Sequence, residues 1–345
     1  MLHWRLHKGK EGMIPVSRKT ILKLLLSQDE GAYLSGERLS EELHITRAAV
    51  WKGIQALRSE GYEIESRTRL GYRLLSAPEK MTPEAIGARI ATKTVGRRIL
   101  CFDRLDSTNT YAKRAAQEGG ENGLVIIADE QTGGRGRLGR VFHSPKKGLY
   151  LTALLKPDLA PQSVIPVTAM AAVAAMRAIE RACGVRPGIK WTNDLILSGR
   201  KVTGILTEMG VEGESGALQY VAVGIGINAN ETAADFGPEL KDIATSLSME
   251  TGKTVNRTEL AAALIEELDR LSAALGGDLS GYLRAYRENC VTLGRDVRIL
   301  GGGTERTARA VSIDETFGLV VQYEDGATET VRSGEVSVRG LCGYV

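Results

Sequence analysis

Apolar residues recur at helical spacing in three segments near the start of the chain. In the first, "SRKTILKLLLS", Ile21, Leu24 and Leu25 share one face of a predicted helix. The second, "SGERLSEELHI", begins at Ser35, a residue type that caps helix N-termini. The third, "RAAVWKGIQALRSEGY", has the same apolar period and stops at a glycine. The pattern therefore predicts three consecutive helices.

A strand-like pattern follows the third helix. The segment "YEIESRTRLGYRLL" alternates apolar and polar residues around a turn, as the strands of a β-hairpin do. Three helices followed by a hairpin are typical of a winged helix-turn-helix. We therefore predict such a domain at residues 14–76, with the helix-turn-helix motif itself at residues 36–55.

The rest of the chain divides into two further regions. A polar stretch containing Pro78 and Pro83 predicts a linker. From 82 to 290, strand patterns such as "LVIIAD" and "LYLTALL" mix with helical ones such as "IPVTAMAAVAAMRAIERAC". Residues 291–345 contain only strand patterns broken by glycines, which indicates a small closed β-barrel. The fold class expected is a multidomain α+β protein with a central mixed α/β domain.

Basic residues concentrate on two elements of the first domain. They are Arg47, Lys52 and Arg58 on the third helix, and Arg67, Arg69 and Arg73 in the hairpin. Acidic residues are absent from residues 46–58 and from the tip of the hairpin at residues 66–73, so each stretch presents cations to a polyanion. This placement favours DNA binding. A helical protein-interaction module with a solvated basic face is the alternative.

Bulk composition adds little to this picture. The net charge is only +3, and 43% hydrophobic with 25% charged residues is ordinary for a soluble globular protein. The four cysteines are far apart, so we expect reduced thiols in a cytoplasmic protein and no zinc site. The apolar run "VTAMAAVAAM" is shorter than the roughly 20 residues that span a bilayer, so no membrane association is expected. The first twelve residues have no apolar signal segment, and we expect a short extension before Met13.

The stretch "TGGRGRLGRVFHSP" contains a G-x-G-x-x-G sequence. In a dinucleotide-binding fold this sequence opens a helix, but here Pro145 and the strand-like "LYLTALL" follow it. The loop therefore joins two strands, and a Rossmann fold is excluded. Glycines that expose N–H groups, together with Arg135, Arg137 and Arg140, suit a phosphate or carboxylate. A solvent-exposed basic turn is the alternative.

A second polar group lies in "KWTNDLILSGRKVTGIL". It places Lys190, Asn193 and Asp194 at the end of one strand, and Lys201 and Gly204 on the strand that returns after a turn. Together with "STN" at the start of a predicted helix, this hairpin supplies cations and amides that could meet the glycine-arginine loop.

Three motifs, "GRGRLGRVF", "KWTND" and "GIGIN", occur here in the order and spacing of one family. The chain closely resembles the bifunctional biotin–protein ligases that also repress biotin operons, and the likeness covers nearly its whole length. It implies a catalytic domain of the class II synthetase-like type and an SH3-like C-terminal barrel. The nearest alternatives are a lipoate–protein ligase and a ligand-sensing transcription factor with an inert catalytic domain.

The resemblance also implies an activity. Such enzymes use ATP and Mg²⁺ to convert biotin to biotinoyl-5′-AMP, and then transfer biotin to a lysine of a biotin carboxyl carrier domain. No tightly bound prosthetic group is implied. The adenylate would act as corepressor for a homodimer on operator DNA.

By the same likeness, biotin would be bound by Ser107, Thr108, Asn109, Gln131, Arg135, Gly136, Arg137, Lys201 and Gly204. ATP would be bound by Arg137, Phe142, Lys190, Asn193, Asp194 and Asn228. Lys201, Arg135 and Arg137 would be catalytic, and Asn193 and Asp194 would face the Mg²⁺ ion carried by the nucleotide.

Two departures from the family pattern affect these expectations. Thr192 stands where the family has proline, which should loosen the turn without moving its neighbours out of register. Leu138 and Phe142 stand where relatives often have arginine and tryptophan that order over adenine, so we expect an aromatic stack to be retained at Phe142 without that arginine.

Overall fold

The computed structural model describes residues 16–28, 32–76, 81–301, 304–332 and 337–340. Met13, Pro78 and Cys342 lie outside the described residues, as do the outer limits predicted for the first and last domains. The chain forms two compact units, with the boundary between Arg89 and Ile90. Each unit is described separately below.

The first unit has the predicted winged helix-turn-helix order. Its elements are α1 (Val16–Leu26), α2 (Gly36–Glu42), α3 (Arg47–Ser59), β1 (Glu63–Arg67), β2 (Gly71–Ser76) and α4 (Pro83–Gly87). The side chain of Ser35 caps α2 as predicted, and Thr46 caps α3 in the same way. The strands β1 and β2 pair antiparallel to form the hairpin.

The core of this unit lies between α1, α3 and the hairpin. Val50, Ile54 and Leu57 of α3 are buried as their spacing predicts. On α1 the buried stripe includes Leu22, whereas Leu24 is only partly buried. The helix α4 also packs against α1, so the compact unit continues beyond residue 76.

The second unit is built on a seven-stranded sheet. Its strands are β3 (Ile99–Phe102), β4 (Leu124–Ala128), β5 (Leu149–Leu155), β6 (Gly188–Lys190), β7 (Asp194–Leu197), β8 (Arg200–Val211) and β9 (Leu218–Ile227). The strand order is β3-β4-β5-β9-β8-β7-β6, and every pair except the parallel β3–β4 is antiparallel. Because the glycine-arginine loop joins antiparallel β4 and β5, the exclusion of a Rossmann fold is confirmed.

Helices cover this sheet. They are α5 (Thr108–Gln117), α6 (Val167–Cys183), α7 (Leu247–Thr251), α8 (Arg257–Ala274) and α9 (Ser280–Asn289). With the single turn that precedes it, α6 gives an apolar helical run over Pro161–Cys183 that is long enough to cross a bilayer, which the sequence reading did not expect. About two thirds of this run is buried inside the unit, as in the central helix of a globular core.

The last part of the chain is a five-stranded antiparallel sheet. Its strands are β10 (Asp296–Gly301), β11 (Thr304–Ile313), β12 (Leu319–Gln322), β13 (Thr328–Val331) and β14 (Ser337–Gly340), in the order β13-β12-β11-β10-β14. The prediction of an all-strand segment is confirmed. Within the part of the chain that the structure describes, no pairing joins β13 to β14, so the closed SH3-like barrel stays a prediction.

Candidate active site

A cavity of about 580 Å³ lies in the second unit. It is enclosed by the start of α5, the glycine-arginine loop, the turn between β6 and β7, and the neighbouring strands β8 and β9. All the residues that the resemblance assigned to biotin or ATP line it. They are Ser107, Thr108, Asn109, Gln131, Arg135, Gly136, Arg137, Phe142, Lys190, Asn193, Asp194, Lys201, Gly204 and Asn228.

The part of the cavity wall that β8 and β9 form contains three glycines. Any larger residue at these positions would collide with side chains that line the cavity. A Cβ at Gly224 would lie 2.0 Å from Asn109 Oδ1. Cβ atoms at Gly204 and Gly226 would lie 2.8 and 2.5 Å from the Phe142 ring. The glycines of "GIGIN" and of the "KVTGIL" strand therefore make room for the amide of Asn109 and for one aromatic ring.

The glycine-arginine loop is a small hairpin in this structure. Gly136 donates its N–H to the Arg140 carbonyl at 2.7 Å, and Phe142 donates to the Gly134 carbonyl at 3.0 Å. Leu138 turns the chain in the left-handed region, with φ of 56°, and its side chain is exposed. The loop backbone thus depends on local hydrogen bonds.

Lysine and arginine side chains outnumber acidic ones in the described cavity lining. The cationic residues are Arg135, Arg137, Arg140, Lys190, Lys201 and Arg298, and the acidic ones are Asp194 and Asp242. Lys201 Nζ lies 2.6 Å from Asp194 Oδ1 and 5.6 Å from the centre of the Phe142 ring. Lys190 is buried. A cavity with this excess of positive charge suits anionic ligands such as carboxylates and phosphates.

Direct hydrogen bonds hold the side chains of Arg137 and Asn193 in place. Arg137 donates to Asn193 Oδ1 at 3.1 Å, and the Asn193 amide donates to the Ile205 carbonyl at 2.8 Å. Burial lowers the pKa of the Arg137 guanidinium, and the nearby carboxylate of Asp194 opposes that effect. The loop and the β6–β7 turn are therefore linked across the cavity.

The C-terminal part of the chain holds the turn that contains Thr192. The Tyr286 hydroxyl donates to the Thr192 carbonyl at 3.1 Å, and the Trp191 indole donates to the Phe317 carbonyl at 3.0 Å. The Trp191–Thr192 peptide is cis. Lys190, Asn193 and Asp194 line the cavity despite the missing proline, in agreement with the expected register.

Some cavity residues were missed by the sequence reading. Arg298 of β10 and Tyr150 of β5 both line the cavity. Neither belongs to a recognisable local motif, because each reaches the site through contacts between segments far apart in the sequence.

The predicted DNA-binding residues all lie in the first unit, and both α3 and the hairpin present exposed ones. Arg47 and Lys52 are exposed, and between them Trp51 is 55% exposed. Arg58 is less available, because its guanidinium donates to the Ile64 carbonyl and to Ser66 Oγ. It joins α3 to the hairpin.

The hairpin is less purely basic than the sequence suggested. Glu65 on β1 accepts from Arg67 at 2.9 Å and from Arg73 at 2.8 Å. Both guanidinium groups also lie over the Tyr33 ring. Arg69 lies at the tip of the hairpin, with φ of 67°. The β1–β2 hairpin, which is the wing of the winged helix-turn-helix, therefore presents arginines whose charge Glu65 partly neutralises.

Among the described residues, Cys101, Cys183 and Cys290 form no disulfide. The same part of the chain contains no group of three or more histidine, cysteine or acidic side chains arranged to hold a metal ion.

Together these features define a protein with a winged helix-turn-helix unit and a second unit whose cavity suits small anionic molecules. Comparisons with known proteins specify the class further. The Biotin/lipoate A/B protein ligase family matches residues 101–228, an HTH domain matches 17–73, and the Biotin protein ligase C terminal domain matches 292–339.

Relatives match over most of their length. The bifunctional ligase/repressor BirA of Bacillus subtilis is 42% identical over 241 residues, covering 70% of this chain and 73% of that protein. BirA of Escherichia coli is 29% identical over 324 residues, covering 92% and 97%. A solved biotin protein ligase from Aquifex aeolicus, in complex with biotin and ATP, superposes with a TM-score of 0.61 at 27% identity, over 71% of this chain and 99% of that one. The chain belongs to the biotin–protein ligase family.

A buried carboxyl group lies directly behind the cavity. Glu231 is 0% exposed, and the Tyr150 hydroxyl lies 3.2 Å from its Oε1. Burial raises the pKa of Glu231 to about 7, and the nearby carboxylate of Asp235 acts in the same direction. The neutral acid is therefore favoured in the folded state at mildly acidic pH.

This pKa predicts a pH-dependent change in stability. Because the folded pKa exceeds the usual value near 4.5, folding binds a proton between these values, and the contribution of Glu231 falls as pH rises towards about 7. Glu231→Gln removes this loss. We expect the variant to match wild type near pH 5 and to exceed it by up to about 3 kcal/mol near pH 8, measured by urea unfolding. An equal difference between the two proteins at both pH values would contradict the assignment.

Proposed function

We propose that this protein is an ATP-dependent biotin–protein ligase that also acts in the cytoplasm as a biotin-responsive transcriptional repressor. The observation that carries the proposal is the single cavity in which the predicted biotin and ATP residues meet. Family membership and the winged helix-turn-helix unit support the two activities in turn.

The chemistry proposed needs no covalent enzyme intermediate. The biotin carboxylate attacks the α-phosphorus of ATP, an acyl–phosphate bond forms, and pyrophosphate leaves. The amine of a carrier-domain lysine then attacks the acyl carbon, and AMP leaves. Both reactants of the first step are anions, so catalysis requires positioning and positive charge.

The roles proposed for the cations follow from their places in the cavity. Lys201 lies on β8 beside Asp194, where it would stabilise charge at the carboxylate–phosphate junction. Arg135 and Arg137 would cover the carboxylate and the α-phosphate. Binding of the anions would give these cations stronger partners than they have now.

Mg²⁺ would enter with the nucleotide. Asp194 supplies one carboxylate in the cavity, and Asn193 supplies an amide oxygen that also accepts from Arg137. This donor set fits an ion held mainly by phosphate oxygens, where it would neutralise phosphate charge.

For the regulatory function, biotinoyl-5′-AMP would act as corepressor. Its central acyl phosphate, which carries the one negative charge of the molecule, would hold the arginines of the glycine-arginine loop, and the loaded protein would bind operator DNA as a homodimer over two half-sites. The partner in the ligase reaction would be a biotin carboxyl carrier domain.

Pyrophosphate release tests the ligase activity directly. With purified protein, ATP and Mg²⁺ but no carrier, we expect a biotin-dependent burst of about one equivalent, because the adenylate stays bound. Lipoate in place of biotin should give little release, which separates the two ligase activities. If neither biotin nor lipoate produces a burst of pyrophosphate, the protein is not a ligase of either kind, and only a ligand-sensing role remains.

Lys201→Ala should separate binding from chemistry. Since its charge is needed mainly as oxygen attacks phosphorus, we expect biotin affinity within an order of magnitude of wild type and a fall in adenylation of about 100-fold or more. Calorimetry and pyrophosphate release measure the two effects. Lys253→Ala, which removes an exposed lysine outside the cavity, serves as the control. Unchanged adenylation in Lys201→Ala would remove this residue from the catalytic group.

DNA binding by α3 predicts a change in salt dependence. If Lys52 contacts a phosphate, Lys52→Ala should weaken binding and reduce the slope of log affinity against log salt by about 1. Fluorescence anisotropy with a duplex selected by wild-type protein from a random library, in the presence of biotin and ATP, measures the slope. The control is Lys23→Ala on α1. An unaltered slope in Lys52→Ala would exclude this contact.

A further inference from the structure

The wing has one face that packs against the core of its unit and one that faces outward. Ile64 of β1 is buried, and Tyr72 of β2 packs against the same apolar cluster. Because side chains alternate along a strand, Glu65 and Arg67 lie on the opposite face, together with Arg73, the register partner of Glu65. The outer face of the wing therefore carries one acid between two arginines.

Glu65 holds both arginines at once. Its Oε1 accepts from Arg67 Nε at 2.9 Å, and its Oε2 accepts from Arg73 Nη2 at 2.8 Å. The Tyr33 hydroxyl also donates to Oε2. The guanidinium carbons of Arg67 and Arg73 lie 5.5 and 4.9 Å from the centre of the Tyr33 ring. A carboxylate and an aromatic face together restrict two side chains that otherwise have many rotamers.

The backbone next to Tyr33 is bonded to the wing itself. Leu34 donates its N–H to the Tyr72 carbonyl at 2.8 Å, and its own carbonyl accepts from the Tyr72 N–H at 2.9 Å. A Cβ at Gly71 would lie 2.2 Å from the Leu34 oxygen, so the two segments pack closely. The ring that both arginines cover is therefore held in place beside Glu65.

Glu65 is ionised in this cluster. The hydrogen bond from Tyr33 is the main reason that its pKa is lowered, and Arg67 and Arg73 act in the same direction. One carboxylate and two guanidinium groups leave the outer face with one net positive charge. The Arg67 side chain is 56% exposed, and within the described residues its two NH₂ groups make no hydrogen bond. A phosphate can therefore contact Arg67 while Glu65 holds its Nε.

An acid between two arginines affects operator and unrelated DNA differently. Binding to unrelated DNA depends mainly on the number of phosphates that the protein neutralises, so the charge of Glu65 weakens it. An operator complex has a fixed geometry, in which arginines that are already ordered lose less side-chain freedom on binding. This gain offsets the effect of the negative charge in the operator complex alone.

We infer that Glu65, held by Tyr33, is a positioning residue that increases the preference of this protein for operator DNA over unrelated DNA. The inference rests on the proposed function, in which the winged helix-turn-helix unit binds an operator. Glu65 acts through Arg67 and Arg73 and needs no contact with a base. The acid contributes to specificity by restraining the cations that supply affinity.

Fluorescence anisotropy with two labelled duplexes tests the inference, with biotin and ATP present. One duplex is selected by wild-type protein from a random library, and the other has the same bases in shuffled order. Glu65→Gln removes the charge and keeps the size of the side chain. We expect it to bind the shuffled duplex about tenfold more tightly at about 0.1 M salt, with a salt slope steeper by about 1 for each wing in contact. Affinity for the selected duplex should rise by less than about threefold, so the preference falls.

Tyr33→Phe separates ordering from charge. It keeps the ring that the arginines cover and removes only the hydroxyl that donates to Glu65. We expect affinity for the shuffled duplex within about twofold of wild type, an unaltered salt slope, and affinity for the selected duplex weaker by about threefold. Wild-type preference in either variant would overturn the inference. Equal losses on both duplexes would also overturn it, because they indicate a purely structural role.

Two controls keep the outcomes separate. Glu60→Gln removes an acid outside the wing that pairs with Arg18 at 2.7 Å, and both of its DNA affinities should stay within about twofold of wild type. If Glu60→Gln changes the preference as much as Glu65→Gln does, net charge alone is responsible and the inference is overturned. Thermal melting of each variant checks that it is folded. A wild-type protein that binds neither duplex would overturn both the proposed repressor function and this inference, whereas failure in the variants alone overturns only the inference.

Discussion

The arrangement of the second unit depends on bringing like charges together. Arg135, Arg137, Lys190 and Lys201 reach one cavity from three separate segments of chain. Cations that share one cavity repel one another and lose hydration, and both effects destabilise the protein. The fold offsets part of this cost with the Asp194 carboxylate and the Asn193 amide. Anionic ligands would offset the rest, so the charges that destabilise the empty site favour the ligands proposed for it.

A second constraint is steric and acts on the glycines. β-Branched residues favour strands more than glycine does. In β8 and β9, however, a Cβ at Gly204 or Gly226 would collide with Phe142, and a Cβ at Gly224 would collide with Asn109. Glycine lowers the intrinsic stability of the strands at these positions. In return, the Phe142 ring and the Asn109 amide can pack directly against the strand backbone. The glycines of "GIGIN" and "KVTGIL" therefore serve, in this fold, as positions without side chains on two neighbouring strands.

The sequence motifs identified residues that the structure brings into one cavity. The loop, the β6–β7 turn and the start of α5 each combine a turn with polar residues, and the family resemblance singled out each of them from a few consecutive letters. It could not find Arg298, Tyr150 or Glu231, because each depends on strand pairing between distant segments. In the hairpin, only the tip is free of acids in the sequence, and its arginines are partly neutralised because Glu65, just outside the tip, pairs with Arg67 and with Arg73 of the opposite strand. On α1, the apolar run was too continuous for its period to distinguish Leu22 from Leu24.

The two ends of the cavity are stabilised in different ways, and this difference bears on regulation. At the Thr108 end, buried side chains hydrogen-bond one another and are shielded from water. At the other end, the glycine-arginine loop is held by short local hydrogen bonds, with Leu138 and Val141 exposed. Reordering such a loop costs less than disturbing a buried network. A ligand that binds the rigid end and carries charge to the flexible end can therefore change the surface of the protein, which is what a corepressor must do.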